Sequence, residues 1–317
     1  MLVPIAQMAK GIFRLGPFDT GHASAATAPF LVVGKDKAAV IEPGEDGLVP
    51  GTLEGIKAIE VDVNRIAYVL GTHIHMHHIQ GASLLLKSLP NAKFVGHPRG
   101  VPHVIEPSRL IQSTIAAWGE KCYGKFDPIP AERTMAVDDG QVLDLGGRQL
   151  EIIYTPGHAP HHICIFDTLT RGMFSGDIIS LSIPGKDRGH CDILPPLFDV
   201  AKSIESIRRV RAYKPTMLLS HRSGGACFEP EDTLRWAEED ILAIERICRT
   251  GMQAGISYKE INRRVQDYQM AVGDRVTDPV EQEAFTSGSI FGMLNYLHRE
   301  DPNLPMPADA SQRLRRA

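Results

Sequence analysis

Four imidazoles fall within the six residues His73-Ile74-His75-Met76-His77-His78, a density that neither core packing nor a solvated surface explains well. Histidine is the commonest nitrogen ligand for zinc and similar borderline ions, so the run reads as a metal site. Three later points extend the set: His158 in Thr155-Pro156-Gly157-His158, Asp177 in Ser175-Gly176-Asp177, and His221 in Leu218-Leu219-Ser220-His221. A catalytic metal needs ligands gathered at strand ends with one coordination position left open, and each of these residues follows an apolar, strand-like run.

The elements that must position them follow from the apolar pattern. Arg65 to Leu70 has a buried-strand composition, and Gly71 with Thr72 turns the chain so that His73 and His75 project to one side of an extended segment. His77 and His78 come next, just ahead of a helix expected over residues 79–88. Ile152-Ile153-Tyr154 leads to His158, Gly172-Met173-Phe174 to Asp177, and Met217-Leu218-Leu219 to His221, which implies one shared edge of a sheet. Upstream, residues 11–15, 30–33 and 38–41 read as antiparallel strands. Lys93 to Gly96 is a further short strand, Pro107 to Lys121 is helical in period, and residues 142–145 and 149–154 form a hairpin through Gly146-Gly147.

In order and spacing these motifs resemble the metallo-β-lactamase superfamily, whose hallmark is T-H-x-H-x-D-H, then T-P-G-H, a bridging aspartate after a strand, and a final histidine. The resemblance spans roughly residues 10 to 225. It implies an αββα sandwich, two mixed β-sheets face to face with helices outside. It also implies two divalent metal ions, zinc first and iron or manganese next, the first held by His73, His75 and His158. Asp177 would bridge both ions, with His78 and His221 on the second, and the implied reaction is hydrolysis by a metal-held hydroxide. Glu42-Pro43-Gly44 stands where relatives carry an Asp-containing turn, so Glu42 either accepts a hydrogen bond from a ligating histidine or only caps the turn. His162 falls where the family often keeps a second histidine near the site, whereas His161 replaces a usual glycine and is expected on the exposed surface.

One departure matters: the aspartate of the first motif is His77 here. Either His77 ligates the second metal, or that site is weak, or another metal is preferred; ligation is favoured because zinc and iron both accept imidazole. Asp177 and His77 are therefore the residues expected to carry catalysis as well as metal. Neutral imidazole in place of carboxylate makes the cluster about one unit more positive, which favours anionic substrates or transition states.

The 317 residues with a net charge of −4 offer no basic face for nucleic acid, and no apolar run approaches a membrane span. Five scattered cysteines (Cys122, Cys164, Cys191, Cys227 and Cys248) and the absence of a signal-like opening point to a reduced cytoplasm. No phosphate-cradling glycine loop or CxxC pair occurs, and Ser220 beside His221 lacks a nucleophile-elbow motif. Residues 180–196 read as a loop over the metal edge, from which Arg188, His190 or Asp192 could touch substrate. His97, at the end of its strand, is expected to be structural.

The expected organisation is a catalytic domain over 1–225, a helical extension over 226–300 that roofs the site or dimerises the chain, and a mobile tail over 301–317. Within the extension, helices are expected over 231–249, 257–268 and 280–298. The expected partner is a small-molecule substrate, an ester-type compound such as a lactone or phosphoester. Thioesterase or β-lactamase-like hydrolysis, di-iron redox chemistry and low-turnover ligand binding are the alternatives. Redox relatives replace an early histidine with glutamate and carry a flavin domain; here that position is His75.

Overall fold

A computed structural model describes residues 4–16, 27–118, 125–181, 189–194, 196–221, 225–273 and 279–310. Seven strands make the first sheet, in the order β1 (Ile5–Ala9), β2 (Ile12–Leu15), β3 (Phe30–Val33), β4 (Ala38–Ile41), β5 (Ile66–Leu70), β6 (Lys93–Gly96) and β7 (Thr134–Ala136). β1 to β4 are antiparallel and β4 to β7 parallel. Parallel neighbours require crossovers, which α1 (Val49–Ala58), α2 (Met76–Ile79), α3 (Ala82–Ser88), α4 (Val101–Ile105) and α5 (Ser108–Trp118) provide.

The second sheet holds β8 (Val142–Asp144), β9 (Gln149–Tyr154), β10 (Ile163–Asp167), β11 (Gly172–Phe174), β12 (Met217–Leu219) and β13 (Ala226–Cys227), adjacent in that order. Only β11 and β12 pair in parallel, and α6 (Val200–Ala212) lies between them in the chain. Both sheets are thus mixed, as the resemblance implies.

Alternation along the strands builds the layers. Ile152, Phe174 and Leu219 join Phe30, Ile41 and Leu70 in the core between the sheets, while their neighbours Ile153, Met173 and Leu218 face outward onto helices. Phe30 and Phe174 meet edge to face across the sheets with ring centroids 5.4 Å apart. Full burial of one such ring is worth about 1.5–3 kcal/mol. Val40, Val69 and Phe94 turn the other face of the first sheet against α1 and α3.

The C-terminal helices are α7 (Pro230–Gln253), α8 (Tyr258–Ala271) and α9 (Pro279–Glu300), close to the expected ranges. The first turn of α7 carries Glu231 and Asp232, and Ser257 caps α8 by accepting from the Glu260 amide. These helices share one core with the outer face of the second sheet: Ala237, Ile261 and Ile290 lie in the same buried cluster as Ile153, Met173 and Leu218. The stretch expected to be a mobile tail is packed in its described part. Leu304 and Ala310 are buried, and the Asp309 carboxylate accepts from the amides of Tyr258 and Lys259 at the start of α8. Residues 311–317 lie outside the described residues.

The expected helix over 79–88 is broken. α2 starts earlier and already contains His77 and His78, while Gln80-Gly81 separates it from α3. The Gly81 amide donates to Gly44 O at 2.7 Å, and a methyl group at Gly81 would lie 2.9 Å from Glu45 O, so this break is a backbone crossing that admits no side chain.

Candidate metal centre

The expected ligands gather at the rim of the sandwich, where strands of both sheets end. His73 and His75 follow β5 of the first sheet, whereas His158, Asp177 and His221 follow β9, β11 and β12 of the second. The shared edge is therefore that of the whole sandwich and not of one sheet. Gly157 makes the T-P-G-H turn possible: it sits at φ +143°, and a methyl group there would lie 2.5 Å from Ser203 Cα on α6.

Three ring nitrogens converge first. His75 Nδ1 lies 2.9 Å from His73 Nε2 and 3.0 Å from His158 Nε2, and Asp177 Oδ2 stands 3.8 and 3.6 Å from those two Nε2 atoms. Burial, followed by the neighbouring imidazoles, holds His73 and His75 well below the ordinary histidine range, so both are neutral at neutral pH and keep a lone pair. A tetrahedral zinc spaces its nitrogens about 3.4 Å apart, given Zn–N bonds of about 2.1 Å. Four donors, three imidazole nitrogens and one carboxylate oxygen, all lie within 4.8 Å of one another and fit a borderline divalent ion.

A second group lies on the other side of Asp177. His78 Nε2 is 3.1 Å from Asp177 Oδ1, and His77 Nε2 is 3.5 Å from Oδ2, so the carboxylate stands between the two clusters. His77 takes the place of the missing aspartate in this cluster. Its side chain is 30% exposed against 0% for His78, and His75 in the first group is likewise partly exposed.

The surrounding hydrogen bonds orient each ring. Glu42 binds His78 Nδ1 through Oε2 and accepts the Thr72 amide at 3.1 Å through Oε1, so of its two expected roles it fills the histidine-binding one. Burial works against a charge on His78, but Asp177 and Glu42 on either side raise its pKa to about 10. His73 Nδ1 pairs with Thr72 Oγ1 at 3.1 Å, and His158 Nδ1 donates to Asp192 O at 2.6 Å, leaving each Nε2 to face the cluster. His162 supports Asp177 from behind. Its Nε2 accepts the Asp177 amide at 3.1 Å, and its Nδ1 donates to Thr155 Oγ1 at 2.8 Å.

His221 reaches the same rim but stands outside both ligand groups: its Nε2 donates to the backbone carbonyl of His77 at 3.0 Å, its Nδ1 is buried with no hydrogen-bond partner among the described residues, and its ring centroid is 4.8 Å from that of His78. Burial, then His78, lowers its pKa to about 3.

Among the described residues, the other expectations divide. His161 is half-buried, not exposed: its ring lies parallel to His73 with centroids 6.3 Å apart, and burial lowers its pKa to about 3. Asp192 is buried and serves the ligands through its backbone, while its side chain faces His190 Nε2 at 3.0 Å. His97 packs on Tyr154 at 4.3 Å between centroids, and Ser220 Oγ accepts the Leu181 amide. Arg188, Pro184-Gly185, Gly224 and Cys122 lie outside the described residues. Thr72 and the Asp192 carbonyl carry no ligand motif of their own; Thr72 had a signal in its place beside His73, and the carbonyl had none.

A family model described as the Metallo-beta-lactamase superfamily matches residues 26–221. This chain belongs to that superfamily. It is similar to the metallo-beta-lactamase fold-containing protein ST1585 of Sulfurisphaera tokodaii, with 26% identity over 161 residues, 49% of this chain and 60% of that one. The crystal structure of ST1585 has the same fold, with a TM-score of 0.58 and 22% identity over 74% of this chain and 86% of that one. It is also similar to the acyl-coenzyme A thioesterase MBLAC2 of Homo sapiens, 26% identical over 47% of this chain and 57% of that protein. A hydroxyacylglutathione hydrolase of Aeromonas hydrophila is 28% identical over 47% of this chain and 45% of its own length. The chain thus spans about half the length of the curated relatives it matches. No helix among the described residues is long and apolar enough to cross a membrane.

Proposed function

We propose that this chain is a metal-dependent hydrolase of a small ester-type substrate, a phosphoester or a lactone. The observation that supports it is the pair of ligand groups meeting at Asp177: His73, His75 and His158 on one side, His77 and His78 on the other. In this reading the two groups each hold a divalent ion, zinc before iron or manganese. His221 steadies His77 through its carbonyl. When bound, the ions supply an activated water and Lewis acidity toward the scissile group. Asp177 keeps the two sites at a fixed separation, and His162, by holding the Asp177 amide, keeps that carboxylate aimed. With imidazole at position 77 the two ligand groups contain one carboxylate, Asp177, which suits a substrate that is anionic or becomes so in the transition state.

A second reading is thioester hydrolysis, supported by the similarity to two relatives, an acyl-coenzyme A thioesterase and a hydroxyacylglutathione hydrolase. We place the reaction in a reducing compartment, since Cys164, Cys191, Cys227 and Cys248 are all buried as free thiols. The test is metal analysis of the purified protein together with turnover on lactone, phosphodiester, phosphotriester, thioester and β-lactam substrates. Stoichiometric metal with phosphoester or lactone cleavage supports the first reading, and preferential thioester cleavage replaces it with the second. Protein without metal or turnover on any of them defeats both.

A further inference from the structure

Resting on the metal-centre reading above, we infer that the C-terminal helix α9 is a positioning element for the ligands His158 and Asp177, acting through the strap 189–194. One residue of this strap, Asp192, holds both ligands by its backbone: its carbonyl accepts from His158 Nδ1 at 2.6 Å and its amide donates to Asp177 O at 3.0 Å. The strap is pinned on its upstream side by a two-bond bridge between Ser180 and His190, at 2.7 and 3.0 Å. On its downstream side α9 holds it. Gly292 of α9 runs so close to the strap that a methyl group there would lie 2.7 Å from Ile193 O and 3.1 Å from Leu194 C.

A helix interior disfavours glycine by about 1 kcal/mol relative to alanine, so a glycine here is explained by the close approach and not by helix formation. Seven residues later Arg299 donates to Pro196 O at 3.1 Å and to Phe198 O at 2.8 Å, fixing the chain just beyond the strap to the same helix. α9 thus touches the strap at one end and its continuation at the other. Displacing the Ile193 carbonyl by a few tenths of an ångström moves the adjacent Asp192 peptide. Both ligands move with it, because the His158 ring and the Asp177 backbone each make a hydrogen bond to that residue.

The experiment compares wild type, Gly292→Ala, Arg299→Ala and a control, Gly47→Ala, at a glycine with nothing within 4 Å of the added methyl. Hydrogen exchange of the Asp192 amide is measured on metal-free protein, and zinc affinity by competition with a chromophoric chelator, with circular dichroism confirming the fold. The expected result is faster Asp192 exchange in both α9 variants, zinc affinity at the first site lowered about tenfold, and neither change in the control. Should Gly292→Ala fail to fold, Arg299→Ala carries the comparison alone, since its side chain is partly exposed. Wild-type exchange and affinity in the folded α9 variants overturn the inference. Wild type that takes no zinc while the variants exchange faster overturns the metal reading and leaves the strap contact standing.

Discussion

Glu42 holds His78 at Nδ1 with one carboxylate oxygen and the Thr72 amide with the other, from a backbone at φ 58°. A non-glycine residue in that left-handed region is strained, and such strain persists where the surroundings over-determine it. Here the buried carboxylate ties the first-motif loop to the end of β4 and fixes which nitrogen of His78 faces Asp177.

Glu42→Gln keeps the shape and removes the charge. Partners of ligating histidines are worth about 10–100-fold in metal affinity, so the second ion should bind that much more weakly while the first is held as before. Isothermal titration with zinc resolves the two steps. Equal weakening of both steps would show that Glu42 supports the loop as a whole and not His78 in particular.

His77→Asp restores the carboxylate of the superfamily motif at a position whose nitrogen lies 3.5 Å from Asp177 Oδ2. The charge change should raise second-site affinity for hard divalent ions such as manganese at least severalfold and leave first-site affinity within a factor of about two. Plasma emission spectroscopy after dialysis against limiting metal gives the stoichiometry. If both the ratio of bound ions and the turnover stay at wild-type values, His77 is not a ligand.

The metal-free protein should lose stability in acid. His73, His75, His162 and His221 are held below the ordinary histidine range, so below about pH 6.5 the unfolded chain takes up protons that the folded site refuses. Each such group removes about 1.4 kcal/mol per pH unit until its folded pKa is reached, which for His221 is about 3. His78 runs the other way. Its pKa is raised to about 10, so its contribution is complete below pH 6.5 and fades as pH climbs through 10. Calorimetry of chelator-treated protein should therefore show Tm falling between pH 7 and 5, and a level Tm over that range would contradict the burial of these rings as neutral groups.

Much of this centre is legible in the sequence. His73, His75, His158 and Asp177 each follow an apolar run at a strand end, and strand ends on one rim converge when parallel neighbours and short hairpins fix the directions. His77 and His78 were legible as residue types but not in placement, because the break at Gly81 comes from a crossing with Gly44 and Glu45 that is distant in sequence. The hydrogen bond of His221 to the His77 carbonyl has the same origin, since that partner is 144 residues away. Helix α6 did carry a local signal in the Asp199 cap and in Val200, Ser203, Ile207 and Val210 on its buried face, but its charged residues mask that stripe. The edge strand β1 is half-exposed along its length and has no such stripe.

The far rim of the sandwich allows a test of stability that leaves the metal centre untouched. Arg148 and Asp167 are 3% and 0% exposed and form a bidentate pair at 2.8 and 2.9 Å, while Arg148 Nη1 also donates to Lys10 O and Val33 O of the first sheet. The pair therefore fastens the β8–β9 hairpin and β10 to the opposite sheet. Asp167→Ala strands a buried guanidinium and should cost about 3–5 kcal/mol, whereas replacing both residues with apolar ones of similar volume should cost much less. Urea unfolding gives the difference, with zinc stoichiometry at low urea expected to match wild type in both variants. A loss of metal in folded Asp167→Ala would mean that the two rims are coupled through the inter-sheet core and do not behave as independent ends of one sandwich.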